Sequence, residues 1–302
     1  MVNLKWLMVL GEGWSLQMKK VFFSVLAVLF IYGIAVLSPG VDPVDDIPYY
    51  KDQSFSVIAH RGGRGLLPGN TIEAAVNAVN IGSDVIEIDI HLTADNVLVV
   101  RHDDLIDTTS DGIGLIADLT FEQIRSFNAG FHEVDFPKAT FDRPLKIPSL
   151  ASLFERLPDQ RFLIELKPTN TNAADTLCDL VIEHKRQHQV LVGSFHTSVL
   201  KYFRKHCPSV PTSLGKNELL LLSLLQRLHL GHFFSSPGYA MQVPQSFDGV
   251  DIITPDLISL ARRLNLRVEA WTINDQQNMV ALKAMGVDGI ITDYPDQLID
   301  TL

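Results

Sequence analysis

The chain has 302 residues, 46% of them hydrophobic, and a formal net charge of −10. That much apolar material fills the core of one domain of α/β-barrel size or of two smaller ones, and excludes a disordered or fibrous chain. The acidic balance, without a Lys/Arg stripe interleaved with aromatics, argues against a nucleic-acid partner.

Residues 1–17 form a short N-terminal tail ahead of the apolar segment 18–38, whose run Val21 to Leu37 carries no charge. At about 17 residues this run sits at the lower limit for a membrane span. Lys19 and Lys20 precede it and Asp42, Asp45 and Asp46 follow it. The lysine bias puts the N-terminus in the cytoplasm and the rest of the chain on the extracytoplasmic side, periplasmic in a bacterium. A signal peptide that releases a secreted protein is the rival, because Met18-Lys19-Lys20 resembles a start of its own. No A-x-A-like cleavage site precedes Pro39, which favours an uncleaved anchor. A linker rich in Pro and Asp, residues 39–54, separates the anchor from the rest.

From residue 55 to 302 strand-like and helix-like patterns alternate, as in a parallel sheet covered by helices. Strands are predicted at Ser56 to Ala59, Asp84 to His91, Phe162 to Lys167, Val190 to Ser194, Pro211 to Leu214, Ala240 to Val243, Arg267 to Thr272 and Gly289 to Thr292. Helices are predicted at Thr71 to Ile81, Ala173 to Lys185, Ser198 to His206, Glu218 to Leu230, Pro255 to Asn265 and Gln276 to Met285. Eight strands in this order suggest a (β/α)8 TIM barrel, whose active site gathers at the C-terminal ends of the strands. His60, Asp89, Lys167 and Thr272 fall there. The stretch of about 103–149 breaks the alternation, with turn signals and one short helical segment, Thr120 to Asn128. It reads as an insertion after the second strand that shapes the pocket. Cys178 and Cys207 lie far apart with no C-x-x-C or His-rich neighbour, so neither zinc nor a disulfide framework is supported, and both are expected as core residues.

In Val85-Ile86-Glu87-Ile88-Asp89-Ile90-His91, alternation puts Glu87, Asp89 and His91 on one strand face. The isoleucines between them indicate a strand covered on both sides. Buried neighbouring carboxylates repel and lose hydration, so they stay ionised only beside a cation or matched donors. A metal is therefore expected.

The chain resembles the glycerophosphodiester phosphodiesterase family over roughly residues 55–298. The resemblance rests on His60-Arg61-Gly62 with Asn70-Thr71, Glu87-Ile88-Asp89, Arg101-His102-Asp103, Glu165-Leu166-Lys167, Trp271-Thr272-Ile273-Asn274 and the ending Gly286 to Pro295. It implies a barrel with an insertion after the second strand and metal-dependent hydrolysis of glycerophosphodiesters to glycerol 3-phosphate and an alcohol. It implies further that Glu87, Asp89 and Glu165 bind a divalent metal, that His60 and His102 are the acid/base pair, and that Arg61 and Lys167 contact the phosphate. Trp271, at a barrel mouth, is expected to wall the glycerol or head group. Carboxylate oxygens suit Ca2+ or Mg2+. A poor alkoxide leaving group calls for a proton donor and a base, and imidazole titrates in the useful range. Asp293 is expected to be structural, anchoring the last turn; His132, His184, His188, His196, His206, His229 and His232 are taken as structural, while His91, which shares a strand face with Asp89, stands between the structural and the catalytic reading.

One position departs from the family pattern: Gly69 stands where the family usually has Glu. Two alternatives follow. A membrane-tethered pseudoenzyme would bind head groups without turnover. A lysophospholipase D would act on lysophospholipids at the membrane, favoured by the anchor and the apolar stretch Leu219 to Leu225.

Overall fold

A computed structural model describes residues 15–50, 55–131, 141 and 143–302. Most of the predicted tail, the end of the linker, His132 and part of the insertion lie outside these residues. The first element, α1 (Leu16–Leu37), is a 22-residue helix with no buried residue, capped by Ser15. Its apolar window has a mean hydropathy of 2.4, long and apolar enough to cross a membrane, a test that signal sequences also pass.

Short β-branched runs then build β1 (Ser56–Ala59), β2 (Val85–Leu92), β3 (Leu98–Val100), β4 (Arg161–Leu166), β5 (Val190–Gly193), β6 (Ala240–Pro244), the hairpin β7 (Ser246–Phe247) and β8 (Val250–Asp251), β9 (Arg267–Trp271) and β10 (Gly289–Thr292). The helices between them are α2 (Ile72–Ile81), α3 (Phe121–Ile124), α4 (Leu150–Arg156), α5 (Thr171–Glu183), α6 (Thr197–His206), α7 (Lys216–Arg227), α8 (Pro255–Leu264), α9 (Gln276–Met285) and α10 (Pro295–Ile299).

Seven strands pair side by side in the order β5-β4-β2-β1-β10-β9-β6, and the pairings along that path are parallel. The predicted strand Pro211 to Leu214 supplies the eighth position through two parallel bridges, Val192 to Thr212 and Ser213 to Ala240, which close β5 onto β6. The TIM-barrel expectation therefore holds. Helices cover the outside, where Ile86, Ile88, Ile90, Phe162 and Ile164 pack against Leu153, Leu177 and Phe203.

Three features were not expected. Leu98–Val100 runs antiparallel to β2, and it leads from the inner strand out into the inserted region. That region has its own small core of Ile106, Ile116, Ile124, Leu145 and Ile147. Tyr49 and Tyr50, from the linker, pack into the barrel interior with Ile58, Val85, Leu163 and Leu191. There the Tyr50 hydroxyl donates to Glu269 at 2.9 Å, and Arg161 at the start of β4 donates to the Tyr49 carbonyl at 3.0 Å, so this pair closes the N-terminal end of the barrel. Finally, Cys178 and Cys207, expected to be separate, form a disulfide that ties α5 to α6, with Cα atoms 5.8 Å apart. Neighbouring helices, not sequence spacing, bring the two thiols together.

Candidate active site

The first strand ends at Ala59, and the chain turns at once: Arg61 adopts a left-handed conformation (φ 51°, ψ 33°). Such a conformation costs a non-glycine residue roughly 1–2 kcal/mol. The Arg61 N–H is held by donating to Glu87 Oε2 at 2.7 Å. Gly62 follows at φ +78°, and a Cβ there would lie 2.9 Å from the Ala75 nitrogen; only glycine lets the turn rest on α2. Thr71 caps that helix by accepting from the Ala74 N–H at 3.1 Å. Asn70, just before it, donates from Nδ2 to Asp89 Oδ2 at 3.0 Å.

Glu87 and Asp89 share the inner face of β2, and the register of β2 with β4 sets Asp89 beside Glu165. Oxygens of Glu87, Asp89 and Glu165 all lie within 4.8 Å of one another. Lys167 Nζ bridges two of them, 3.0 Å from Asp89 Oδ1 and 2.9 Å from Glu165 Oε1. Arg61 Nε sits 3.4 Å from Asp89 Oδ2. Two cations thus face three carboxylates, and one negative charge is left over. Burial, then the charge of Asp89, pushes the Glu87 carboxyl well above the usual carboxylate range. Burial likewise raises Glu165. Asp89 goes the other way: burial opposes its charge, but Lys167 and Arg61 outweigh it and hold the carboxyl low.

These donors fit a divalent ion. Two oxygens on opposite sides of a calcium ion stand about 4.6–5.2 Å apart, given Ca–O distances of 2.3–2.6 Å. The all-oxygen set within 4.8 Å matches that span, and Glu87, whose carboxyl is raised by burial and then by Asp89, is the one an added cation would ionise.

The two histidines are each oriented by a carboxylate. His60 Nδ1 lies 2.6 Å from Asp293 Oδ1, while its Nε2 is 4.0 Å from Glu87 Oε2. His102 Nδ1 lies 2.9 Å from Asp103 Oδ1. Against an ionised carboxylate each Nδ1 carries the proton, which leaves each Nε2 free for other work. Burial lowers the pKa of His102 below the usual imidazole range, against the partly compensating charge of Asp89. His91 donates from Nε2 to the His102 carbonyl at 3.0 Å, so it fixes the backbone of its neighbour.

The structure thus brings His60, Arg61, Glu87, Asp89, Glu165 and Lys167 into one connected cluster, with His102 within electrostatic reach of Asp89, Arg61 and Lys167. Trp271 lies at the end of β9 with its ring edge-on to Phe195, centroids 5.9 Å apart. The sequence reading gave Asp293 a structural place anchoring the last turn but not its contact with His60. Besides His60, this residue accepts from Asn274 Nδ2 at 2.7 Å and lies 3.3 Å from Arg64 Nε. Its place just past the last strand, at the C-terminal end of the barrel, was the available signal.

Residues 60–297 match the Glycerophosphoryl diester phosphodiesterase family. A glycerophosphodiester phosphodiesterase of Caldanaerobacter subterraneus subsp. tengcongensis is 30% identical over 249 residues, covering 81% of this chain and 96% of that protein. A human lysophospholipase D is 26% identical over 268 residues, covering 81% of this chain and 85% of that protein. In fold, the chain is similar to an Oleispira antarctica phosphodiesterase solved in complex with the product sn-glycerol-3-phosphate. That match has a TM-score of 0.64 at 24% identity, over 82% of this chain and 96% of the other.

Proposed function

The chain belongs to the glycerophosphoryl diester phosphodiesterase family, and from that footing we propose that it hydrolyses glycerophosphodiesters to glycerol 3-phosphate and an alcohol by two-histidine catalysis. The observation that carries this reading is the cluster at the barrel mouth: three carboxylates, two cations and two carboxylate-oriented imidazoles. Glu87, Asp89 and Glu165 hold a divalent ion, Ca2+ or Mg2+, which when bound supplies positive charge to the phosphoryl oxygens. Arg61 and Lys167 contact the phosphate. With a divalent ion and a phosphodiester monoanion added, the charges of the site sum to zero, so an acidic protein still receives an anion.

His102, kept neutral by burial, takes the proton of the attacking oxygen, whether that oxygen is water or a neighbouring hydroxyl of the substrate. His60 delivers a proton to the departing alkoxide, and the Asp293 carboxylate keeps its ring aligned. Replacing His60 or His102 by Ala is expected to lower kcat by about two to four orders of magnitude, the usual scale of acid–base catalysis, with the circular dichroism spectrum unchanged. Full activity in both variants would remove the two-histidine mechanism.

The division into an anchor at 18–38 and a catalytic unit at 55–302 belongs to the same reading. We place the barrel on the extracytoplasmic side, with α1 as an uncleaved anchor. The lysines ahead of the apolar run support this, and so does the Cys178–Cys207 disulfide, because such bonds persist in oxidising compartments. A second substrate class, lysophospholipids, is favoured by the leucines that α7 leaves exposed beside α1.

A further inference from the structure

Helix α7 turns Leu222 into the core and packs Leu219 and Leu225 against it. Leu220, Leu221, Leu224 and Leu228 remain 46–59% exposed. At 100° per residue these four fall within one arc of about 100°. Asn217 shares the first turn of that arc, and Lys216 and Arg227 line one edge of it. So broad an apolar stripe on a surface helix calls for a partner.

The end of this stripe is joined to α1. The Tyr32 hydroxyl donates to the Leu228 carbonyl at 2.9 Å. His232, just beyond α7, lies 3.2 Å through Nε2 from the Ala35 carbonyl, and the Val41 N–H donates to the His232 carbonyl at 2.9 Å. Tyr32 is five residues before the end of α1, so Leu228 stands level with a point about 7–8 Å inside that end. A 22-residue helix is about 33 Å long and a hydrocarbon core about 30 Å thick, so that level lies within the outer acyl zone. Interfacial helices bury their apolar faces to a similar depth, about 5–10 Å.

We propose that the exposed leucine face of α7 is a second membrane contact, seated in the interface of the bilayer that α1 spans. The inference rests on reading α1 as a span. The occupant is lipid rather than another protein, because α1 itself has no buried residue and its Tyr32 joins the end of the stripe at membrane depth. Lys216 and Arg227 stand where anionic head groups would meet them. The contact lays the barrel on its flank. Because α7 begins just after Ser213, its first turn lies at the mouth, where the Asn217 N–H donates to Thr197 Oγ1 at 3.0 Å, near Phe195. An amphiphile in the outer leaflet would then have a short apolar path to the site.

The test uses the full chain in vesicles of phosphatidylcholine and phosphatidylglycerol, with an environment-sensitive fluorophore on one introduced thiol and spin-labelled lipids as quenchers. Leu224→Cys on α7, Val28→Cys on α1 and Val280→Cys on α9 are compared while the native cysteines stay paired. Loss of emission at positions 28 and 224 but not at 280 is expected. Quenching at 28 without quenching at 224 would leave the span intact and overturn the proposal. Quenching at neither would remove both the span and the contact, and quenching at 224 alone would remove the span and overturn the placement argued from it.

Discussion

Glu87 is the residue whose behaviour most depends on what the site holds. In the absence of a cation its carboxyl is raised by burial and by Asp89, so it keeps a proton at pH values where an exposed glutamate has lost it. Between the ordinary glutamate value and the raised one, the folded state binds more protons than the unfolded state, and stability falls as pH rises through that window. A divalent ion needs the ionised carboxylate, so binding expels the proton and affinity weakens as pH falls. Calorimetric titration with Ca2+ in two buffers of different ionisation enthalpy is expected to show proton release, reduced by Glu87→Gln. Heats independent of buffer would contradict this. Gly69 carries a second consequence. Seen against the family pattern, a carboxylate there is expected to buttress Arg61 and raise activity, but a Cβ at 69 would lie 2.8 Å from the Arg64 Cβ and 3.2 Å from the Arg61 Cβ. The loop is closed around the glycine. Gly69→Glu is therefore expected to lower both activity and stability, the latter by about 1–3 kcal/mol, as overpacking does; a gain in kcat/KM would show that the loop yields without harm.

The legibility of this chain was uneven, and the reason lies in how its elements meet. His60, Glu87, Asp89, Glu165 and Lys167 could be read because each belongs to a short β-branched run or the turn just after it, and in a barrel such ends converge. The pairing of Asp89 with Glu165 follows from strand register, which alternation implies. What could not be read was contact between elements remote in sequence. His60 and Asp293 are separated by 233 positions, and no local pattern joins them. The same holds for the disulfide, which depends on α5 and α6 lying side by side, and for Tyr49 and Tyr50, which look like linker residues until the barrel end they fill is known. β3 was passed over because three apolar residues in a row carry no period. The disulfide makes a prediction of its own: closing a loop across 29 positions stabilises a fold by about 3–4 kcal/mol in the chain-entropy account. Cys178→Ser is expected to lower the urea midpoint while leaving kcat nearly unchanged, since the bond lies on the outer helices. An unchanged midpoint would mean that the pairing contributes nothing.

For the whole molecule, the barrel gathers its chemistry at one end and is closed by aromatic residues at the other, with an apolar helix held against its flank. In the proposed reading, acidity at the scale of the chain is compatible with attraction for an anion at the scale of the site, because Arg61, Lys167 and the divalent ion would together reverse the local sign. The central claim is that this cluster cleaves a glycerophosphodiester with a divalent ion. The most direct measurement is release of choline from glycerophosphocholine by the full chain in detergent micelles, with Ca2+, with Mg2+ and with EDTA. Turnover with one of the ions, abolished by EDTA and restored on adding the ion back, is the predicted result; a folded protein inert under all three conditions, or one indifferent to EDTA, would contradict it.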